Sequence, residues 1–146
     1  MSSLKELYLM QQIFVTFFSI ANDLQAKGDQ YLEDLTIKQF LAMLAIAHLP
    51  EDETSLNNIA KKLDTTKQSA RQLISNLEKK KYIETIPSPK DSRALNVRFT
   101  DEGGKMLLKS SEKSIDFLKD VFKGLSIEDL ESLWAILKSI LNYNSE

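Results

Sequence analysis

The sequence contains no cysteine, one histidine, four glycines and three prolines in 146 residues. Without cysteine there is no disulfide framework, thiolate metal site, redox switch or cysteine nucleophile. The lone His48 removes a multi-histidine zinc site within one chain, so neither a metal nor another cofactor is expected. Few glycines and prolines leave few breaks, which favours a mostly helical protein. The apolar run Ile13–Phe18 is bounded by Gln11, Gln12, Asn22 and Asp23, far short of the ~20 apolar residues of a spanning helix. No membrane association is expected. No basic leader with a small-residue cleavage site stands at the N-terminus, and the expected compartment is cytoplasmic. There is no Gly-rich phosphate loop. His48, beside Leu49-Pro50 at a predicted helix end, reads as a cap or surface group rather than a general base, so an enzyme is not expected.

What is present is apolar periodicity. Leu7, Met10, Phe14, Phe17, Phe18, Ala21 and Leu24 recur at i, i+3, i+4, i+7 and predict a long helix from Leu4 to about Lys27, ended by Gly28 and Asp29. Leu9, Ile13 and Ile20 widen its stripe beyond one flat contact, so the helix is expected to pack against more than one neighbour. Thr36-Ile37-Lys38-Gln39 has the form of a capping box, opening a helix with Phe40, Met43, Leu44 and Ala47 inward, closed by Pro50 and the acidic cluster Glu51-Asp52-Glu53. Ser55 caps a short helix through Leu63. Thr65-x-x-Gln68 reads as a second capping box, starting a helix to about Lys80 with Ala70, Leu73, Ile74 and Leu77 buried. Two short helices joined by a tight turn form a helix-turn-helix pattern.

The period then falls to two over Tyr82–Ile86 and Asn96–Phe99, separated by a loop whose Pro87 and Pro89 exclude helix. This predicts a β-hairpin wing. Thr100 caps a further helix to about Lys123, ended by Gly124, and Ser126 starts the last, carrying Leu130, Leu133, Trp134, Leu137, Ile140 and Leu141. The expected fold is mainly α with a small β-hairpin wing, a winged helix-turn-helix between long apolar end helices. One domain is expected over 1–146, with 35–104 the winged part and 1–34 and 105–146 the flanking helices.

The formal charge of −2 conceals an asymmetry. Ser55–Arg98 holds ten basic and four acidic side chains, a net +6, while the remainder holds nine basic and 17 acidic, a net −8. A basic centre of that kind is an electrostatic footprint for nucleic acid, although Lys79-Lys80-Lys81 alone would be an ordinary solvated surface. At 100° per residue, Gln68, Gln72, Ser75 and Lys79 fall opposite the buried side of the second short helix, flanked by Arg71 and Asn76. That face has amides, a hydroxyl and cations but no acid. Gln pairs with adenine N6/N7 and Arg with guanine O6/N7, so the face suits a major groove. The free N–H groups at the helix start near Thr65 and Thr66 suit a phosphate. The candidate DNA contacts are Thr66, Lys67, Gln68, Ser69, Arg71, Gln72, Ser75 and Lys79, with Lys90 and Arg93 from the wing.

These residues resemble the MarR family of transcriptional regulators. The carriers are Leu35-Thr36-Ile37-Lys38-Gln39-Phe40, Ile59-Ala60-Lys61-Lys62-Leu63, Asn76-Leu77-Glu78-Lys79-Lys80 and the wing. There, Asp91-Ser92-Arg93 followed by Phe99-Thr100-Asp101-Glu102-Gly103 is similar to the family's D-x-R and L-T-x-x-G signatures. The resemblance implies a homodimer whose end helices interdigitate. It would be a sequence-specific repressor on palindromic double-stranded DNA, relieved by a small aromatic or lipophilic ligand. It also implies that Arg93 enters the minor groove and that Asp91 orients the wing; otherwise the two are an exposed turn pair of small energetic weight. Lys81 stands where the family usually has glycine, which bears on the turn into the wing, and Thr85 replaces a common arginine. Phe14, Phe17, Phe18 and Met43, with Trp134, are candidates for an apolar ligand pocket, or equally for a dimer core. The alternative function is a winged-helix protein-interaction module without DNA binding.

Overall fold

Ser3 opens the first helix through a reciprocal cap: its hydroxyl accepts from the Glu6 N–H at 3.1 Å and its own N–H donates to the Glu6 carboxylate at 2.7 Å. In the computed structural model, which describes residues 1–90 and 93–143, this helix, α1, runs Leu4–Leu32. It passes straight through Gly28, contrary to the expected stop. The reason lies in the next element, α2 (Ile37–His48). A Cβ on Gly28 would stand 2.1 Å from Ile37 Cγ1, and Asp29 Oδ1 accepts the Ile37 N–H at 2.7 Å. Gly28-Asp29 is therefore the seat on which α2 starts. The helix ends instead at Glu33 (φ 62°), where the Asp34 N–H bonds back to the Leu32 carbonyl at 2.7 Å in a γ-turn.

The predicted capping box of α2 forms: Thr36 Oγ1 accepts from the Gln39 N–H and Gln39 Oε1 from the Thr36 N–H, both at 3.1 Å. Its inward face is Phe40, Ala42, Met43, Ala45 and Ile46, whereas Ala47, expected inside, is exposed. The acidic cluster Glu51–Glu53 winds into a single 3-10 turn. The winged part follows as α3 (Leu56–Lys62), α4 (Lys67–Lys79), β1 (Ile83–Pro87) and β2 (Leu95–Phe99). The strands pair antiparallel in the register Ile83 to Phe99.

One apolar core unites these pieces: Leu32, Leu35, Phe40, Met43 and Ile46 meet Ile59, Ile74, Leu77, Ile83 and Val97. Phe99, Met106 and Leu107 pack against its edge. Burial of each large aliphatic side chain contributes about 1.5–3 kcal/mol against the chain entropy. By contrast, α1 leaves Leu7, Met10, Ile13, Phe14, Phe18 and Ile20 each about half exposed, so its stripe has no covering neighbour among the described residues.

Contacts divide the chain into a unit Met1–Ser114 and a second from Ile115 onward. α5 (Asp101–Val121) begins in the first. In the second, Ser126 and Asp129 cap each other reciprocally at 3.0 and 3.1 Å to start α6 (Ile127–Tyr143). Ile127, Trp134, Ile136 and Leu141 remain exposed on it.

Candidate nucleic-acid interface

Two left-handed residues bracket α4. α3, capped by the Ser55 hydroxyl on the Asn58 N–H, ends when Asp64 (φ 52°) turns the chain. The Asp64 N–H then bonds the Lys61 carbonyl at 3.1 Å and the Thr65 N–H the Ala60 carbonyl at 3.0 Å, the paired bonds of a Schellman cap. Thr65 is thereby committed to closing α3. The cap of α4 is Thr66, not the expected Thr65: its hydroxyl accepts the Ser69 N–H at 3.1 Å. At the far end Lys81 (φ 66°) repeats the device, with Lys81 N–H to the Glu78 carbonyl at 2.9 Å and Tyr82 N–H to the Leu77 carbonyl at 3.0 Å. α4 thus opens on a side-chain cap directly after the turn that closes α3, and closes on a backbone turn of the same kind.

Ala70, Ile74 and Leu77 are buried and Leu73 partly so, while Thr66, Lys67, Gln68, Ser69, Arg71, Gln72 and Lys79 are exposed and Ser75 and Asn76 half-buried. The structure therefore leaves every proposed α4 contact exposed except the half-buried Ser75, with Gln68, Gln72, Ser75 and Lys79 along the side opposite the core. Gln72 Nε2 donates to Asn76 Oδ1 at 3.2 Å, and Thr66 Oγ1 donates to Ser69 Oγ at 3.0 Å. Glu78 is turned aside, its carboxylate accepting from the Thr85 hydroxyl.

The wing is a three-part structure that sequence reading saw as two. Thr54 joins it: the Val97 N–H donates to the Thr54 carbonyl at 3.2 Å and the Thr54 hydroxyl to the Val97 carbonyl at 2.7 Å, with Ser55 bridging Asn96. Arg93 is exposed in the loop between the strands. Asp91, expected to orient that loop, lies outside the described residues.

The cations divide into engaged and available sets. Lys90 lies 3.2 Å from both the Asp52 and Glu53 carboxylates, and its hydrogen bonds to Asp52 first and Glu53 second hold its ammonium above the usual lysine range. Arg98 Nε bonds Glu84 at 2.6 Å. Lys80 Nζ donates to the Asp34 carbonyl and to Gln39 Oε1, both at 3.0 Å. Lys61, Lys62, Lys67, Arg71, Lys79 and Lys81 have no ion pair among the described residues. Below α4, Asp34 also takes the Lys109 ammonium at 2.9 Å. That hydrogen bond and the accompanying charge hold the Asp34 carboxyl below the usual range and raise the Lys109 ammonium. Lys113 Nζ donates to the Leu32 carbonyl at 3.4 Å. The end of α1, the end of α4 and the first half of α5 therefore meet at one junction.

The proposed ligand-pocket residues are not gathered. Phe14, Phe17 and Phe18 lie on the open face of α1, the first and last edge-to-face at 5.2 Å, whereas Met43 is fully buried in the core.

A family model described as the MarR family matches residues 33–94, from the end of α1 through the wing loop. Over that stretch the chain is similar to the MarR family. Among its relatives, the HTH-type transcriptional regulator SarZ of Staphylococcus haemolyticus is 24% identical over 145 residues, covering 97% of this chain and 95% of that protein. BilQ of Clostridioides difficile, another HTH-type transcriptional regulator, is 42% identical over 53 residues, 36% of either chain. The crystal structure of the Staphylococcus aureus MepR–DNA complex superimposes with a TM-score of 0.78 at 28% identity, covering 88% of this chain and 93% of that one.

The MarR-like signature after β2 has a structural task here. Thr100 Oγ1 donates to the Lys81 carbonyl at 2.6 Å and accepts the Gly103 N–H at 3.0 Å, while the Thr100 N–H bonds the Tyr82 carbonyl at 3.1 Å. A Cβ on Gly103 would stand 1.8 Å from that carbonyl oxygen. Threonine and glycine therefore lock the start of α5 onto the turn that ends α4. Lys81, where the MarR pattern favours glycine, takes the left-handed conformation a glycine would take, and the turn is preserved.

Proposed function

We propose that this chain is a MarR-family regulator, a homodimeric, sequence-specific DNA-binding repressor of a palindromic operator, relieved by a small aromatic or lipophilic ligand. The observation that carries the reading is the acid-free exposed strip of α4, bounded by two Schellman caps and flanked by six cations without ion pairs among the described residues. In this reading Arg71, Gln68, Gln72 and Ser75 meet base edges, Thr66, Lys67, Ser69 and Lys79 meet phosphates, and Arg93 reaches the adjacent minor groove. Lys90 supports the wing through Asp52 and Glu53 rather than meeting phosphate. The bare apolar stripe of α1 is where a second copy binds, with residues 1–34 and 105–146 forming the dimer part.

Binding to a labelled inverted repeat, selected from the chain's own upstream DNA, tests the proposal. A band that resists competitor DNA, with half-sites about one helical turn apart and a steep loss on adding salt, is the expected result. No competitor-resistant band at modest salt would instead favour the protein-interaction module. Sedimentation equilibrium of the free protein is expected to give a dimer.

A further inference from the structure

Gln72 Nε2 donates to Asn76 Oδ1 one turn along the exposed face of α4, and that bond constrains what Gln72 can read. A glutamine amide has two N–H donors and a carbonyl acceptor on one plane, and its last torsion is broad and nearly two-fold. Left alone, it turns over freely and offers either the carbonyl or the amine edge to a base. Here, one turn further along the same face, Asn76 takes one hydrogen of Nε2 at 3.2 Å. Its side chain is half-buried whereas Gln72 is exposed, so the orienting group is the better anchored of the two. The bond fixes which side of the amide faces the C-terminal end of α4. Among the described residues the other N–H and the carbonyl oxygen have no hydrogen-bond partner and stay available to a base.

A donor and an acceptor side by side match adenine, which offers N7 as acceptor and N6–H as donor in the major groove. They do not match guanine, whose N7 and O6 are both acceptors. We infer that Asn76 is a positioning residue that sets Gln72 to read adenine and to reject guanine. The inference rests on the DNA-binding reading above and adds a base identity to it. Arg71, the neighbouring cation, has no such constraint and supplies contact without altering the Gln72 preference.

The test is selection from a library of randomised DNA duplexes by the wild type and by Gln72→Ala, Asn76→Ala and Asn76→Asp. The wild type is expected to enrich a site with adenine at one fixed position in each half. Gln72→Ala should lose the preference at that position alone. Asn76→Ala should retain the rest of the site but reduce the adenine-over-guanine ratio there by ~10-fold. Asn76→Asp keeps the acceptor and should restore the ratio even while its added charge weakens binding to all sequences. In the selected site, 7-deazaadenine at that position should weaken wild-type binding and leave Gln72→Ala unaffected. An enriched site whose base preferences are the same in all four proteins overturns the inference and leaves the DNA-binding reading standing. So does loss of the preference in Asn76→Asp. A wild type that enriches nothing overturns both.

Discussion

Lys81 makes a sharp test of how backbone conformation, rather than side-chain contact, sets stability at the end of the recognition helix. Its φ of 66° lies in the left-handed region, and its exposed side chain has no ion pair among the described residues. Removing the side chain therefore removes little, while removing the Cβ relieves a conformational penalty of about 1–2 kcal/mol. Glycine adds freedom to the unfolded chain, which offsets about 0.5–1 kcal/mol of that. The expected net gain for Lys81→Gly is about 0.5–1 kcal/mol. An unfolding entropy of roughly 2.1 cal/mol/K per residue over 146 residues turns that into a Tm rise of about 2–3 °C. Urea denaturation at one fixed protein concentration measures the gain in free energy, since any self-association would make stability concentration-dependent. Lys81→Ala is the control: it deletes the same side chain but keeps the Cβ, and should stay within about 0.5 kcal/mol of wild type. If Lys81→Gly were no more stable than Lys81→Ala at equal m-values, the strain argument would be wrong.

Two adjacent glycines should respond to alanine with opposite signs. Gly103→Ala drives a Cβ into the Tyr82 carbonyl and should cost about 1–3 kcal/mol, whereas Gly104, with nothing within 4 Å of its would-be Cβ, should gain about 1 kcal/mol; thermal melts of both variants decide. In DNA titrations against salt, Lys67→Ala should lower the log–log slope by about 0.9, while Lys90→Ala should leave it unchanged because Asp52 and Glu53 already neutralise that ammonium. A slope change for Lys90→Ala would mean that the pair opens on DNA. The Asp34–Lys109 pair should stabilise the fold in a defined pH window. Asp34 has a lowered pKa, so its contribution is complete above the ordinary carboxylate range near ~4 and lost as pH falls through the lowered value. Lys109, raised, keeps its contribution below ~10.5 and loses it above. Urea midpoints of Asp34→Asn should therefore be lower than wild type at neutral pH and converge with it in acid.

Local signals proved readable where the partner was local. The Thr36 capping box, the period-two strands, the Ser126 start and the inward face of α4 all rest on residues within one or two turns of each other, and all form. Errors arose where a distant segment decided. Gly28 looks like a stop until Ile37 is brought against it, and Thr65 looks like a cap until its N–H is claimed by Ala60. The raw charge count of the winged part likewise overstates the free cations, since Asp52 and Glu53 reach Lys90 from nearly forty positions away in the chain. The third member of the wing, Thr54, announces itself by no periodicity at all, because two residues are too few to show one.

The junction at Asp34 ties three helices together through a single residue. Lys80, the last turn of the recognition helix, grips the carbonyl of the same residue whose carboxylate Lys109 holds from α5. Bending α1 against α2 must therefore drag the base of the recognition helix along or break both grips together.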